Sequence, residues 1–360
     1  MSKIRIVNWL LTRRCNLKCG YCAIVKNYKN KPPEYPDMDY YHKNEMSTEY
    51  IINCLKLFKK HNPEIFNIFY GGEPMLRKDL PEIINFCNEN DIHYTIISNN
   101  VTEIQPLIKT LFEKTNYIQG FTSSVDPIFD VKLDNRKSPA IKTEFGRKYD
   151  KSTGLKSVWG MARLIEMKHN IKDVVAEITV MKASIHNLFA LVQHLSDEGI
   201  NSDVTFIDIA KNPYYDFSNI TDEKLLVSQE EAKDQIDMLL KSDLNIHMKD
   251  KLLPKIYEAL PSNMDCGIEK NLHNITIDAD GSIRLCLRIR GTVTPRHVMA
   301  HEIFTKDDIN KISPFAHICI TTDKKMYCEL CNHTCHLMSQ IIDSEELEIK
   351  ELVHLDIREE

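Results

Sequence analysis

The sequence predicts an α/β fold built from parallel strand–helix–strand units, followed by a small cysteine-rich α+β region at the C-terminal end. Two observations predict this fold class. Apolar runs rich in β-branched and aromatic residues alternate with amphipathic stripes along the first part of the chain, which is typical of parallel βαβ units. Near the C-terminus, a predicted hairpin is followed by clustered cysteines. A chain of 360 residues is long enough for one large domain, or for a large and a small one.

The first part of the chain contains six predicted strands, fewer than the eight of a closed βα barrel. They are Ile4–Leu11, Phe66–Tyr70, Tyr94–Ile97, Gly120–Val125, Val174–Met181 and Val204–Ile209. Ser47 is the predicted N-cap of a helix with the apolar stripe Ile51, Ile52, Leu55 and Phe58, and further helices are predicted over Leu80–Glu89, Ile104–Glu113, Ser157–Lys168 and Leu188–Glu198. Cys54 and Cys87 lie on these helices and are predicted to be buried as small apolar residues. We expect the functional site at the carboxyl ends of the strands.

Composition and charge exclude several classes of protein. Hydrophobic residues make up 42% and charged residues 27% of the chain, as in ordinary globular proteins. The formal net charge of -6 provides no overall basic surface, so nucleic acid is not an expected partner. The sequence shows neither the apolar core of a signal peptide nor a run long enough to span a membrane. Eleven cysteines in such a chain favour metal ligation in the reducing cytoplasm.

Three cysteines lie within eight residues directly after the first predicted strand, in the segment Cys15-Asn-Leu-Lys-Cys19-Gly-Tyr-Cys22. Iron–sulfur clusters are usually held by four thiolates, so three would leave one iron of a 4Fe–4S cluster open to a substrate or cofactor. A structural zinc site is the alternative, because zinc also binds clustered cysteines. Zinc needs a fourth ligand, and no histidine or cysteine follows before His42. The spacing therefore favours the cluster.

Two motifs together carry a resemblance to a known family. The cysteine spacing, with Tyr21 just before the last cysteine, and the segment Gly71-Gly72-Glu73-Pro74 after the second predicted strand resemble the signatures of the radical S-adenosylmethionine (SAM) superfamily. The resemblance implies a partial (β/α)6 TIM-like barrel over roughly residues 4–215. It also implies that the three cysteines hold a 4Fe–4S cluster whose open iron binds SAM, and that SAM is cleaved to a 5′-deoxyadenosyl radical.

The resemblance further assigns SAM contacts to residues at the strand ends. They are Tyr21, Gly71, Gly72, Glu73, Pro74, Ser98, Asn99 and Ser124. The glycines would let the backbone approach a ligand closely, and hydroxyl and amide groups can donate and accept hydrogen bonds without a net charge. The alternative for Ser98, Asn99 and Ser124 is ordinary turn chemistry at strand ends. Glu177 and Lys182 are further candidates on or after the fifth strand, and the sequence names no side chain that reacts with the substrate.

A second group of cysteines lies in the C-terminal region. Its members are Cys266, Cys286, Cys328, Cys331 and Cys335, with Cys319 of uncertain role. A predicted hairpin over 273–285, with its turn at Asp278–Gly281, separates the first two. This arrangement resembles the SPASM and twitch extensions of radical SAM enzymes, although it has fewer cysteines than a full SPASM domain. The resemblance implies one auxiliary 4Fe–4S cluster, which draws four ligands from the five cysteines; a structural zinc, with His333 or His336 as a further ligand, is the alternative.

These observations divide the chain into three predicted parts. Residues 1–215 are the partial barrel, 216–262 are a helical linker, and 263–360 are the SPASM/twitch-like auxiliary domain with a C-terminal helix. The basic segment 132–156 is expected at the mouth of the barrel, either as a solvated loop or as a cover over an acidic substrate.

The resemblance also implies the partners. We expect a peptide or protein side chain as the substrate, with a nucleotide or a sugar as the alternative, and a flavodoxin- or ferredoxin-like reductase as the electron donor. A barrel that begins almost at Met1 has no preceding peptide-binding module, which weakens the peptide assignment without excluding it. A different class of hypothesis is a non-catalytic zinc or iron–sulfur protein that uses the same fold.

Overall fold

The structure is a computed structural model that describes residues 4–16, 18–19, 38–99, 118–125, 147–148, 174–182, 184–206, 226–258, 260, 274–284 and 299–302. The strands in these parts are β1 (Ile6–Thr12), β2 (Lys18–Cys19), β3 (Phe66–Gly71), β4 (Tyr94–Ser98), β5 (Ile118–Val125), β6 (Arg147–Lys148), β7 (Val174–Val180), β8 (Asn201–Phe206), β9 (Asn274–Ile277) and β10 (Ile283–Arg284). The α-helices are α1 (Met38–Lys43), α2 (Thr48–His61), α3 (Leu80–Glu89), α4 (Leu188–Asp197), α5 (Gln229–Lys241) and α6 (Lys249–Glu258). Within these residues, no helix combines the length and the apolar character needed to cross a membrane.

Eight of these strands form one sheet, in the order β10-β9-β1-β3-β4-β5-β7-β8. Neighbouring strands are parallel, except that β9 and β10 form an antiparallel hairpin. Parallel neighbours need crossover connections, and α2, α3 and α4 lie within three of them. The six predicted strands correspond to β1, β3, β4, β5, β7 and β8. The predicted α/β class with a partial (β/α)6 barrel is therefore confirmed, while the cysteine-rich C-terminal part lies outside the described residues.

One face of the sheet packs against the helices. Trp9, Phe69, Ile96 and Phe121 are register partners on four successive strands, and all four side chains are buried. Trp9 also meets Phe58 of α2 edge-on, with ring centroids 5.6 Å apart. Because side chains alternate along a strand, the residues next to these in sequence point to the opposite face. That opposite face is the inner, concave side of the partial barrel.

The first long helix begins where the sequence predicts. The hydroxyl of Ser47 accepts a hydrogen bond from the backbone N–H of Tyr50, which makes Ser47 the N-cap of α2. Cys54 of α2 and Cys87 of α3 are fully buried, as predicted. Burial raises the pKa of the Cys54 thiol to about 11, so this group is neutral at physiological pH. Two predicted helices, 104–113 and 157–168, lie outside the described residues.

The last strand of the barrel begins earlier than predicted. The sequence predicts it over Val204–Ile209, whereas β8 covers Asn201–Phe206. In β8, Ser202, Val204 and Phe206 are buried and the intervening residues are partly exposed. The prediction followed the apolar run and omitted the polar start, since Asn and Asp are uncommon in strands. The part of the prediction after 206 lies outside the described residues.

The predicted C-terminal hairpin is present, and it joins the main sheet. Gly281 closes the turn with a φ of +85° and donates its N–H to the carbonyl of Asp278 at 2.8 Å. Strand β9 pairs in parallel with β1, with Trp9 opposite Ile277. The hairpin thus lies beside the strand that leads to Cys15. The predicted domain limits at 215 and 262 remain predictions, and α5 and α6 fall between them.

A buried arginine fixes the connection between β3 and α3. Arg77 donates hydrogen bonds to the carbonyl oxygens of Leu11 (2.8 Å) and Met46 (3.0 Å) and forms an ion pair with Asp79 (2.5 Å). The Asp79 carboxylate also accepts a hydrogen bond from the hydroxyl of Thr48. Burial alone raises the pKa of Asp79, but the hydrogen bonds from Arg77 and Thr48, together with the guanidinium charge, outweigh it and hold the pKa below its usual range.

We expect Asp79→Asn to lower the free energy of unfolding by about 1–2 kcal/mol near neutral pH. A lowered folded-state pKa stabilises the protein above the unfolded-state pKa, and this contribution is lost as the pH falls through the folded-state value. The difference between wild type and variant should therefore shrink below about pH 4. Urea unfolding across this pH range measures it. Asp234→Asn, on the exposed side of α5, is the matched control; an equal loss in both variants would contradict the assignment.

Candidate functional site

The first cysteine of the motif lies at the carboxyl edge of the sheet. Cys15 follows the end of β1 by three residues, and its thiol is half-buried. The backbone of Lys18 and Cys19 forms β2, which pairs antiparallel with Arg147 and Lys148. Part of the basic segment 132–156 therefore runs beside the cysteine loop. The side chain of Cys19 and the whole of Tyr21 and Cys22 lie outside the described residues.

The two glycines after β3 lie against the segment that leads to Cys15. A Cβ atom at Gly72 would lie 2.1 Å from the carbonyl oxygen of Arg14, and one at Gly71 would lie 2.3 Å from that of Thr12. The N–H of Gly72 donates a hydrogen bond to the carbonyl oxygen of Thr12 at 2.7 Å, and the N–H of Glu73 donates one to that of Arg14 at 2.8 Å. No side chain fits into this contact. The glycines were predicted to allow close approach of a ligand; in the structure, the backbone of the segment that leads to Cys15 already requires them.

The carboxylate of Glu73 is fully buried and connects the ends of β3 and β4. One oxygen, Oε1, accepts hydrogen bonds from the N–H of Met75 (3.0 Å) and the hydroxyl of Ser98 (2.8 Å). The other oxygen, Oε2, accepts a hydrogen bond from the backbone N–H of Asn99 (2.9 Å). Pro74 follows as the first residue of a buried 3₁₀ turn. Glu73 thereby holds the backbone of Asn99 in place.

Asn99 connects Glu73 to Cys15. Its side-chain Nδ2 lies 2.9 Å from the Oδ1 of Asn16 and 3.7 Å from the Sγ of Cys15. The thiol of Cys15 also lies 3.8 Å from the same Asn16 oxygen. Four residues that the sequence analysis selected, Cys15, Glu73, Ser98 and Asn99, thus come together at the carboxyl ends of β1, β3 and β4. An amide donor beside a thiolate sulfur is one of the interactions that adjust the potential of an iron–sulfur cluster.

Ser124 lies on the concave face, in one row with two carboxylates. It is the register partner of Glu177 on β7, which is in turn the partner of Asp203 on β8. Burial raises the pKa of the Asp203 carboxyl, an effect that the nearby His247 partly offsets. Sequence analysis missed Asp203 because it placed the start of this strand at Val204. Its neighbour Ser123 points to the other face, where its buried hydroxyl has no hydrogen-bond partner among the residues that the structure describes.

Other predicted site residues lie outside the described residues. They are Tyr21, Cys22, Cys266, Cys286, Cys319, Cys328, Cys331 and Cys335. The auxiliary cluster and its zinc alternative therefore remain predictions.

We expect Glu73→Gln to disconnect Asn99 from β3. A glutamine side chain has one acceptor oxygen and one NH₂ group. Because the N–H of Met75 and the hydroxyl of Ser98 both donate to Oε1, the glutamine oxygen would occupy that position. The NH₂ group would then replace Oε2 and face the N–H of Asn99, which is also a donor. The free energy of unfolding should fall by about 1–3 kcal/mol, because a buried N–H loses its partner. Urea unfolding measures the loss. Glu82→Gln, an exposed carboxylate of α3, is the control, and equal stability of the two variants would show that the buried carboxylate is not needed.

Residues 9–139, which include all three clustered cysteines and the Gly71–Pro74 segment, match the family model of the Radical SAM superfamily. These residues are therefore similar to a Radical SAM superfamily domain.

Among curated proteins, the chain is 27% identical over 255 residues to Fe-coproporphyrin III synthase of Methanosarcina barkeri, covering 69% of this chain and 54% of that protein. It is 29% identical over 117 residues to PqqA peptide cyclase of Granulibacter bethesdensis, covering 32% and 28%. The chain thus spans about half the length of the first of these relatives, and both are named as enzymes.

Among solved structures, the chain resembles SuiB of Streptococcus suis bound to S-adenosylmethionine. The TM-score is 0.56 at 15% sequence identity, and the match covers 95% of this chain and 75% of that one. At this identity, the likeness shows a shared fold.

The described part of the site fits one ligand of a 4Fe–4S cluster. Thiolates are the usual protein ligands of such clusters, and Cys15 provides a half-buried thiol with an amide donor at 3.7 Å. Among the described residues, no three His, Cys, Asp or Glu side chains gather as metal ligands. The remaining ligands would come from Cys19 and Cys22, whose side chains are not described.

Proposed function

We propose that this chain is a radical SAM enzyme in which Cys15, Cys19 and Cys22 hold the catalytic 4Fe–4S cluster. The observation that carries the proposal is the convergence of Cys15 with Gly72, Glu73 and Asn99 at one edge of the sheet. The superfamily match covers the same residues.

Within this proposal, Cys15, Cys19 and Cys22 would hold a cluster whose chemistry is one-electron cleavage of SAM to methionine and a 5′-deoxyadenosyl radical, the species that would take a hydrogen atom from the substrate. The chain's own residues orient the reactants. The backbone of Gly71 and Gly72 fixes the approach to Cys15, and Glu73 fixes Asn99, whose amide can donate to the cysteine sulfur or to SAM. Such fixed positioning is the protein's share of catalysis when a cofactor carries the difficult chemistry.

The polar row on the concave face suits the sugar and carboxylate groups of SAM and the substrate. Ser124 can donate to or accept from a ribose hydroxyl, and Glu177 and Asp203 lie beside it in register. Together with Tyr21, Pro74 and Ser98, these residues complete the proposed SAM-binding set.

We propose a peptide or protein side chain as the substrate. One relative, PqqA peptide cyclase, is named for a peptide, and the C-terminal cysteines are typical of extensions in peptide-modifying members of the superfamily. Cys266, Cys286, Cys328, Cys331 and Cys335 would hold one auxiliary 4Fe–4S cluster there. The electron would come from a flavodoxin- or ferredoxin-like reductase in the cytoplasm.

The test is turnover under strictly anaerobic conditions with SAM and dithionite. We expect 5′-deoxyadenosine and methionine in equal amounts, and deuterium in the 5′-deoxyadenosine when a labelled peptide pool contains the substrate. Deuterium from labelled nucleotide or sugar pools instead would replace the peptide assignment and leave the SAM chemistry intact. Protein that binds zinc, lacks iron and sulfide, and makes no 5′-deoxyadenosine would overturn the proposal.

A further inference from the structure

Arg13 is a fully buried arginine two residues before Cys15. Its guanidinium donates to both oxygens of Asp278, at 3.0 Å from Nε to Oδ1 and 2.6 Å from Nη2 to Oδ2. The two side chains are 1% and 0% exposed. The ring of Tyr41 covers the guanidinium, with 3.9 Å from the central carbon to the ring centroid. The ion pair is thus shielded from solvent.

Asp278 is itself held rigidly in the turn between β9 and β10. Its Oδ1 accepts a hydrogen bond from the N–H of Ala279 at 2.7 Å, and its backbone N–H donates to Ser282 at 2.8 Å. The turn is attached a second time, because the N–H of Met46 donates to the carbonyl of Ala279 at 2.7 Å. The carboxylate therefore cannot follow Arg13 if the cysteine segment moves.

The segment from Thr12 to Arg14 is consequently fixed from two directions. Gly72 and Glu73 hold its backbone on the side of β3, and Asp278 holds the Arg13 side chain on the side of β9. Cys15 is the next residue along the chain. A buried ion pair adds little stability compared with well-packed apolar residues of similar size, whereas its bidentate geometry restricts orientation. The main contribution of this pair is therefore to fix the orientation of the Arg13 side chain.

We propose that Arg13 and Asp278 are positioning residues for Cys15, through which the C-terminal hairpin sets the geometry of the cluster site. This inference rests on the proposed function. It makes the β9–β10 hairpin, which is distant from Cys15, Cys19 and Cys22 in sequence, part of the support of the catalytic cluster.

The decisive variant replaces both charges by apolar residues, Arg13→Met with Asp278→Leu. Removing one partner alone would strand a buried charge and could unfold the protein, but the double replacement keeps the site apolar and packed. Outer-shell partners of metal ligands typically change metal affinity by about 10–100-fold. We therefore expect about tenfold weaker iron retention against a chelator and a change in the SAM-induced shift of the electron paramagnetic resonance signal. The thermal midpoint should fall only slightly, because the N–H of Ala279 loses its acceptor.

A second readout needs no cluster. In the apo protein, the rate at which iodoacetamide modifies Cys15 should differ severalfold between wild type and double variant, as read by mass spectrometry. Tyr94→Phe with Asn88→Leu removes a hydrogen-bonded pair at the start of β4, at the opposite edge of the sheet from Cys15, and it should leave both readouts unchanged. Unchanged readouts in the Arg13 variant, or equal changes in both double variants, would overturn the inference.

Failure of the proposed function looks different in the same experiment. It would appear as wild-type protein that holds no iron and shows no response to SAM, in which case the positioning of a cluster ligand is refuted as well. If wild-type protein holds iron and responds to SAM, and the Arg13→Met with Asp278→Leu variant does so equally, only the positioning role is refuted.

Discussion

Cys15→Ala is expected to abolish formation of 5′-deoxyadenosine and to remove the iron held near the N-terminus. Two thiolates are left by this change, and a 4Fe–4S cluster that already has one open iron cannot be retained by two. The structure places the Cys15 thiol, half-buried, at the carboxyl edge of the sheet, next to the amide of Asn99. Product analysis after anaerobic incubation with SAM and dithionite, together with iron and sulfide determination, measures both effects.

The matched control is Cys54→Ala. Cys54 is fully buried on α2, and its thiol is kept neutral by a pKa of about 11, so it is a poor metal ligand. Its loss should lower the free energy of unfolding by about 1 kcal/mol, as expected for a small cavity, and leave product formation intact. Undiminished product from the Cys15 variant would refute the assignment of the cluster to this loop.

Gly72→Ala should have the second largest effect. The new methyl group would lie 2.1 Å from the carbonyl oxygen of Arg14, so the end of β3 and the cysteine segment would have to separate. Such overpacking costs about 1–3 kcal/mol, and the hydrogen bonds of Gly72 and Glu73 to that segment would add about 1 kcal/mol each. We expect both a fall in the free energy of unfolding and loss of bound iron, because Cys15 follows the displaced segment directly.

Gly199→Ala separates this effect from ordinary glycine strain. Gly199 has a φ of +70°, and a Cβ atom there would meet no atom of the described part of the chain within 4 Å. Its replacement should cost about 1 kcal/mol in stability through backbone strain alone, with iron content unchanged. If the Gly72 variant retains iron as well as the Gly199 variant does, the close contact with Arg14 is not required for the site.

Much of the fold follows from local patterns in the sequence. The apolar runs locate β1, β3, β4, β5 and β7 within a few residues, since buried parallel strands need continuous apolar side chains. Ser47 marks the start of α2 because its hydroxyl satisfies a free N–H at the helix end. The start of β8 was missed because its polar residues alternate with buried ones on a half-exposed strand.

What the sequence did not reveal depends on contacts between distant segments. An arginine is usually exposed, so the burial of Arg13 depends on Asp278, 265 residues further along the chain, and on the pairing of β9 with β1. The family motif identified Gly72 and Glu73 as functional, but their actual neighbours, Arg14 and Asn99, follow from the register of the sheet. Asp203 enters the site for the same reason, as the register partner of Glu177.

The most direct test of the account is electron paramagnetic resonance of air-free, dithionite-reduced protein, recorded with and without SAM. The account predicts a signal typical of a reduced 4Fe–4S cluster that shifts when SAM is added, because the iron without a cysteine ligand accepts it. The absence of an iron signal, or a signal that SAM leaves unchanged, would contradict the claim that Cys15, Cys19 and Cys22 form a SAM-binding cluster.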